Sequence, residues 1–135
     1  MAIEPSVIFR QLQPVFRMLG LDKKAQAFTK EKLMPRFQAA IPGVVARLEK
    51  DGVTPAKKDG SPEAEAHIVK FTMLLLAKGA LKGVLPSWAI PYAADAIRDP
   101  SKAKIVTACA PQFDTTTSTQ ALVELVLREW ERLVF

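Results

Sequence analysis

The stretch FTMLLLAKGALKGVLPSWAIPYAADA, residues 71–96, is the least polar part of the chain, and its interpretation decides the fold. A helix that spans a membrane needs about 20 mostly apolar residues with few charges. Lys78 and Lys82 lie inside the stretch, and a lysine near the centre of a bilayer costs roughly 3 kcal/mol. Pro86 and Pro91 also interrupt it. We therefore expect a buried core element and no membrane span.

The helical wheel of residues 62–82 explains how this stretch is buried. At about 100° per residue, the polar side chains gather in one narrow sector and apolar side chains occupy both flanks. The polar sector holds Glu63, His67, Lys70 and Lys78, and the flanks hold Ile68, Phe71, Leu75, Val69, Met73 and Leu76. A helix that is apolar over most of its circumference is surrounded by neighbours. The pattern predicts a central helix that is capped by Ser61 and begins at Pro62.

Helical periodicity also runs through the rest of the chain, where ten prolines and six glycines cut it into pieces. Strand-type alternation is weak. Helical segments besides the central one are predicted at about 5–19, 22–34, 35–50, 87–98, 99–109 and 118–134; of these, 22–34 has a poor apolar pattern, and 87–98 and 99–109 are short. An exposed loop is expected at about 51–61, because two Asp-Gly pairs and two prolines fall there or beside it. The fold class is therefore all-α: a single domain over residues 1–135, forming one compact bundle of five to six helices, some proline-kinked, with a central apolar helix.

The segment 35–50 carries the clearest amphipathic pattern of the first half. One face holds an apolar stripe with helical spacing, formed by Phe37, Ile41, Val44 and Leu48. Pro42 falls inside the segment, and a proline in a helix interior clashes with the carbonyl four residues back. We therefore expect a bend in this helix.

Composition excludes several kinds of chemistry. The chain has one cysteine and one histidine, so an internal disulfide, a zinc site built on paired cysteines and a histidine-rich metal site are all excluded. No cofactor is expected. His67 with Glu63 one turn earlier is at most a weak acid–base candidate, since no nucleophile motif surrounds Ser87 or Cys109. The first residues do not read as a signal peptide, so we expect a cytoplasmic protein, or one that acts inside a host cell.

Charge gives the main functional lead. The net charge is +5, and the first fifty residues hold nine Lys or Arg against four acids, so they carry the whole surplus. Such a surplus favours an acidic partner. On the 35–50 helix, Arg36, Arg47 and Lys50 are expected to share the face opposite the apolar stripe. Ala40 and Gly43 lie between them, and these small residues would let a phosphate backbone come close. The candidate nucleic-acid-binding residues are Arg10, Arg17, Lys23, Lys24, Arg36, Arg47 and Lys50.

Two functional hypotheses follow, and a plain structural alternative stands beside them. The first is a non-enzymatic protein that binds a nucleic-acid backbone or an acidic protein surface, possibly as a subunit of a larger assembly. The second is a protein–protein adaptor, inhibitor or assembly subunit without nucleic-acid contact, for which Trp88 and Tyr92, four residues apart, are the candidate partner-binding residues. The structural alternative is that both aromatics are core residues and that the cations only keep the outer faces of the bundle in contact with water.

Overall fold

The computed structural model describes residues 30–98 and 102–134, which form five α-helices. These are α1 (Lys30–Asp51), α2 (Pro62–Leu81), α3 (Ile90–Arg98), α4 (Lys102–Cys109) and α5 (Thr119–Val134), with short 3-10 turns at Pro55–Lys57 and Ala110–Gln112. The described part contains no strand, and one of its helices is bent. The predicted all-α bundle is thereby confirmed. The helices expected at 5–19 and 22–34 lie outside the described residues, except for the part from Lys30 onward.

Helix α2 occupies the centre of the bundle, as its wheel predicts. It packs against α1, α3, α4 and α5. The Ser61 hydroxyl accepts a hydrogen bond from the Ala64 amide at 3.2 Å, which caps the helix where the sequence indicates. Its buried residues are Ile68, Val69, Thr72, Met73, Leu76, Ala77, Ala80 and Leu81. No helix within residues 30–98 and 102–134 is both long and apolar enough to cross a membrane.

Helix α1 buries the predicted stripe and extends it by one turn to Leu33. It also continues through Pro35, although the sequence predicts separate helices at 22–34 and 35–50, with a break at this proline. Both Pro35 and Pro42 lie on the exposed side of the helix, so the carbonyls that they leave unbonded are on the side that faces water. The burial of Leu33 and Phe37 on either side of Pro35 holds the helix together despite the lost hydrogen bond.

Helix α5 closes the core from the other side. Its cap is Ser118, whose hydroxyl accepts a hydrogen bond from the Ala121 amide at 3.1 Å. Trp130 is fully buried and meets the ring of Phe37 edge to face, with the centroids 5.0 Å apart. Aromatic pairs in this arrangement contribute about 0.5–1.5 kcal/mol beyond their buried area. This contact ties the C-terminal helix to α1.

The segment between α1 and α2 is less exposed than the sequence indicates. Pro55 is buried, and the Lys58 side chain is 17% exposed. The Lys58 amine donates hydrogen bonds to the carbonyls of Ala110 and Phe113, both at 2.6 Å, and lies 4.5 Å from the centroid of the Phe113 ring. The segment is therefore anchored to the region between α4 and α5, which a loop-type composition does not reveal.

Candidate functional site

A basic groove runs between α1 and α2, open to solvent and about 730 Å³ in volume. We define it by its cations, Arg36 and Arg47 from α1, and Lys78 and Lys82 from the end of α2. Its other lining residues are small or apolar: Ala39, Ala40, Gly43, Val44, Leu75 and Gly79. Of the described residues that line it, none is acidic. The base of the groove is therefore formed by small and apolar residues, and two helices contribute positive charge to it.

Close packing of the two helices brings these charges together. A Cβ atom added at Gly79 would lie 2.7 Å from the Cβ of Ala40, which is closer than two side chains can approach. Gly83 follows the end of α2 with a φ of +84°, in the left-handed region that favours glycine. Gly79 therefore serves close helix packing, and Gly83 serves the end of a helix. Gly79 allows α1 and α2 to cross closely beside the groove.

Arg36 has a structural role as well as a place in the groove. Its Nε donates a hydrogen bond to the Ala80 carbonyl at 2.6 Å, and a terminal guanidinium nitrogen donates to the Lys82 carbonyl. A cation at a helix C-terminus satisfies unpaired carbonyls and complements the helix dipole. Arg36 therefore holds the end of α2 against α1. The sequence does not reveal this, since the partners lie more than forty residues away.

The other three groove cations are more accessible. The Arg47 side chain is 58% exposed, and its Nε donates to the Asp51 carboxylate at 2.7 Å. Lys78 and Lys82 are exposed and have no ion-pair partner in the part of the chain that the structure describes. An exposed ion pair such as Arg47–Asp51 contributes only about 0–1 kcal/mol, so an incoming anion can compete for Arg47.

The structure brings together only some of the cations that the sequence nominates. Arg36 and Arg47 line the groove together with Val44 of the apolar stripe, so they lie beside the stripe, and their predicted position opposite it is wrong. Lys50 is exposed on α1 and does not line the groove. Arg10, Arg17, Lys23 and Lys24 lie outside the described residues. Sequence reasoning missed Lys78 and Lys82 as partners of the α1 cations. The available signal was the polar sector of the α2 wheel, which contains Lys78 next to the small residue Gly79.

Trp88 and Tyr92 lie on the surface, with exposed fractions of 59% and 56%. Trp88 belongs to the turn that precedes α3, and Tyr92 to the first turn of α3. The alternative in which they belong to the core is therefore wrong. The core side of this segment is formed by small residues, namely Ala89, Ala93 and Ala94.

The groups suited to catalysis are scattered. Cys109 is buried, and burial, with a smaller contribution from the Glu129 charge, raises the pKa of its thiol to about 12, so the thiolate is disfavoured. The exposed His67 ring stacks on Phe71 with the centroids 5.9 Å apart, and no ion pair joins it to Glu63 in the described structure. Within residues 30–98 and 102–134, no group of three His, Cys, Asp or Glu side chains is placed to hold a metal ion.

No protein-family model, curated protein or solved structure matches this chain. The candidate site therefore rests on the geometry, charge and exposure of its own residues.

Proposed function

We propose that the protein is a non-enzymatic binding protein whose basic groove holds a polyanion, with a nucleic-acid backbone as the first choice. The observation that carries the proposal is the convergence of Arg47, Lys78 and Lys82 on an open floor of small residues. Phosphate oxygens accept charge-assisted hydrogen bonds from lysine and arginine side chains. Small residues between the cations leave room for the sugar–phosphate chain to approach them.

The mode of binding follows from the side chains available. Lysine and arginine bind phosphates without regard to sequence, and the lining of the groove offers no amide or hydroxyl side chain for reading base edges. Neutralised phosphates release counterions, so the affinity falls steeply as the salt concentration rises. We therefore propose sequence-independent, salt-sensitive binding. The cytoplasm remains the expected location, since a single cysteine fits a reducing compartment.

A protein–protein adaptor, inhibitor or assembly subunit without nucleic-acid contact is the second candidate function. The observation that favours it is the exposure of Trp88 and Tyr92, since aromatic side chains often anchor protein interfaces. In that case the groove cations would serve solubility or would meet an acidic protein surface. No enzymatic role is proposed; Cys109 is buried, and the His67 ring stacks on Phe71.

The test is the binding of labelled single- and double-stranded DNA and RNA to the purified protein at about 50 and 200 mM salt. We expect binding at micromolar concentration or tighter at the lower salt, and a large loss at the higher salt. Arg47→Ala and Lys78→Ala should each weaken binding to all sequences alike and reduce the salt slope by about 1.

Lys57→Ala is the matched control, because Lys57 is an exposed cation that does not line the groove. It removes the same charge from the protein as Lys78→Ala does. Equal losses from the two changes would show that the net charge matters and the groove does not. Absence of binding to every probe at low salt would overturn the nucleic-acid proposal and leave the adaptor as the function to pursue.

A further inference from the structure

Trp88 and Tyr92 are the only large hydrophobic side chains that are exposed among the described residues. Elsewhere in this part of the chain, large apolar side chains are buried or partly buried. Two exposed aromatic rings four residues apart therefore form a distinct surface feature. We call it the aromatic pair.

The backbone under the aromatic pair has local hydrogen bonds, and its alanines pack on the core. The Ala89 amide donates to the Pro86 carbonyl at 2.9 Å, and the Ala93 amide donates to the Ala89 carbonyl at 3.2 Å. Ala89 and Ala93 are fully buried. Small residues thus dock this segment on the core while the two rings remain in solvent, so ring exposure does not result from a loose chain end.

The aromatic pair follows the last cation of the basic groove closely along the chain. Lys82 lines the groove, and a Cβ atom at Gly83 would lie 3.5 Å from a terminal nitrogen of Arg36. The amides of Val84 and Leu85 both donate hydrogen bonds to the Leu81 carbonyl, at 3.0 and 3.2 Å. Residues 82–85 thus form a tight turn on the end of α2. Lys82 and the two rings are therefore close to one another along the chain.

We propose that the partner of the groove is a single-stranded nucleic acid, and that Trp88 and Tyr92 stack on its bases while Lys78, Lys82 and Arg47 hold its phosphates. This inference rests on the proposed function of the groove. Proteins that bind single strands without sequence preference combine a positively charged groove with aromatic side chains on which bases stack. A duplex keeps its base faces stacked on each other, so it offers no such surface to the rings.

Charge complementarity favours this occupant over a protein. A protein interface would use the rings equally well, but it would leave Lys78 and Lys82 to be desolvated or matched by acids. A single strand provides flat apolar faces and negative charge together along one chain. Both surface features of the described structure are then used by one ligand.

The experiment compares a short labelled single strand with a duplex of the same sequence, on the full chain and its variants. Trp88→Ala and Tyr92→Ala should each weaken single-strand binding roughly 5- to 150-fold and leave the salt slope unchanged. Trp88→Phe and Tyr92→Phe keep a ring and should retain most of the affinity. Lys78→Ala should weaken single-strand and duplex binding alike and should lower the salt slope.

Tryptophan fluorescence provides a second measurement that does not depend on a change in affinity. Trp130 is 1% exposed, whereas Trp88 is 59% exposed. A base that stacks on Trp88 should quench its emission, and Trp88→Phe should abolish the quenching without preventing binding. Because both aromatic residues are exposed, their replacement should leave the fold intact, which the helical circular-dichroism signal checks.

The failure of this inference and the failure of the proposed function are distinguishable. Equal binding of single strand and duplex, with no effect of Trp88→Ala or Tyr92→Ala, would overturn base stacking while leaving the groove as a phosphate site. No binding of either probe at low salt would overturn both. Loss of single-strand binding in the alanine variants alone, with the phenylalanine variants near wild type, supports the inference.

Discussion

The basic groove and the junction around residues 110–113 both involve lysine side chains, but they use the positive charge in opposite ways. At the junction, the Lys58 amine is largely buried and contacts two carbonyls, the Phe113 ring and, at 3.7 Å, the Glu65 carboxylate. In the groove, Lys78 and Lys82 are exposed without an ion-pair partner among the described residues. A cation whose hydrogen bonds are already satisfied stabilises the fold. A cation without them remains available to a ligand.

Replacement of Lys58 should produce the largest loss of stability, because it removes the anchor of the 52–61 segment. Lys58→Ala leaves the carbonyls of Ala110 and Phe113 without their charged donor. We expect the free energy of unfolding to fall by about 2–4 kcal/mol. Urea denaturation measures the loss.

Lys57→Ala is the control for this prediction as well, since the neighbouring Lys57 side chain is exposed. It should change the free energy of unfolding by less than about 0.5 kcal/mol. If the two adjacent lysines proved equal in stability, the contrast between junction and groove would not hold. Lys58→Ala should also leave the affinity for nucleic acid close to that of the wild type.

Gly79→Ala should give the next largest effect, because it separates the helices that form the groove. The added methyl group would meet the Cβ of Ala40 at 2.7 Å, and α1 must move to accommodate it. The cost of overpacking exceeds the gain in helix propensity, so the free energy of unfolding should fall by about 1–2 kcal/mol. Thermal denaturation followed by circular dichroism measures it.

Two further glycine and alanine changes sharpen this prediction. Ala40→Gly combined with Gly79→Ala removes the clash and should restore stability close to wild type, which is a non-additive result. Gly43→Ala is the matched control, since a Cβ there meets nothing within 4 Å. It should stabilise the helix by about 0.5–1 kcal/mol. A loss from Gly43→Ala as large as that from Gly79→Ala would contradict the close crossing at Gly79.

Glu129 should give the smallest effect, and its effect should depend on pH. Burial raises the pKa of this carboxyl, but hydrogen bonds from Arg132 at 2.6 Å and Gln112 at 3.1 Å outweigh burial and lower the pKa below its ordinary value of 4.5. A group whose pKa is lower in the folded state stabilises the fold above its ordinary pKa. That stabilisation is lost as the pH falls below 4.5 and through the folded value.

Glu129→Gln should therefore cost about 1 kcal/mol at pH 7 and should lose less stability than the wild type on acidification. Urea denaturation between neutral pH and about pH 3 follows the difference. Glu124→Gln, at an exposed position on the same helix, is the control and should change stability by less than about 0.5 kcal/mol. Identical pH profiles for wild type and Glu129→Gln would contradict the role assigned to the buried carboxylate.

The described helices could largely be predicted from the sequence because each carries its own local signals. The apolar stripe of α1, the broad apolar surface of α2 and the caps at Ser61 and Ser118 are patterns within one segment. The break predicted at Pro35 is wrong, because the burial of Leu33 and Phe37 on either side outweighs the cost of a proline inside the helix. Local rules decide where an element is favoured, and packing decides whether it continues.

The candidate site could be predicted only in part, because it depends on which helices become neighbours. Arg36, Ala40, Gly43 and Arg47 share one face of α1, and that face is visible in the sequence. Their pairing with Lys78 and Lys82 requires the α1–α2 crossing. The exposure of Trp88 likewise requires knowledge of which side of its segment contacts the core.

Cys109 has a practical consequence, because it is the single thiol of the chain and is completely buried at the end of α4. A thiol reagent can reach it only when the surrounding helices open, so every molecule that becomes labelled reports one opening event. Where closing is faster than reaction, the labelling rate is proportional to the population of open molecules. The rate at which Cys109 is labelled, followed by the increase in protein mass, therefore measures the opening of the core without an engineered probe.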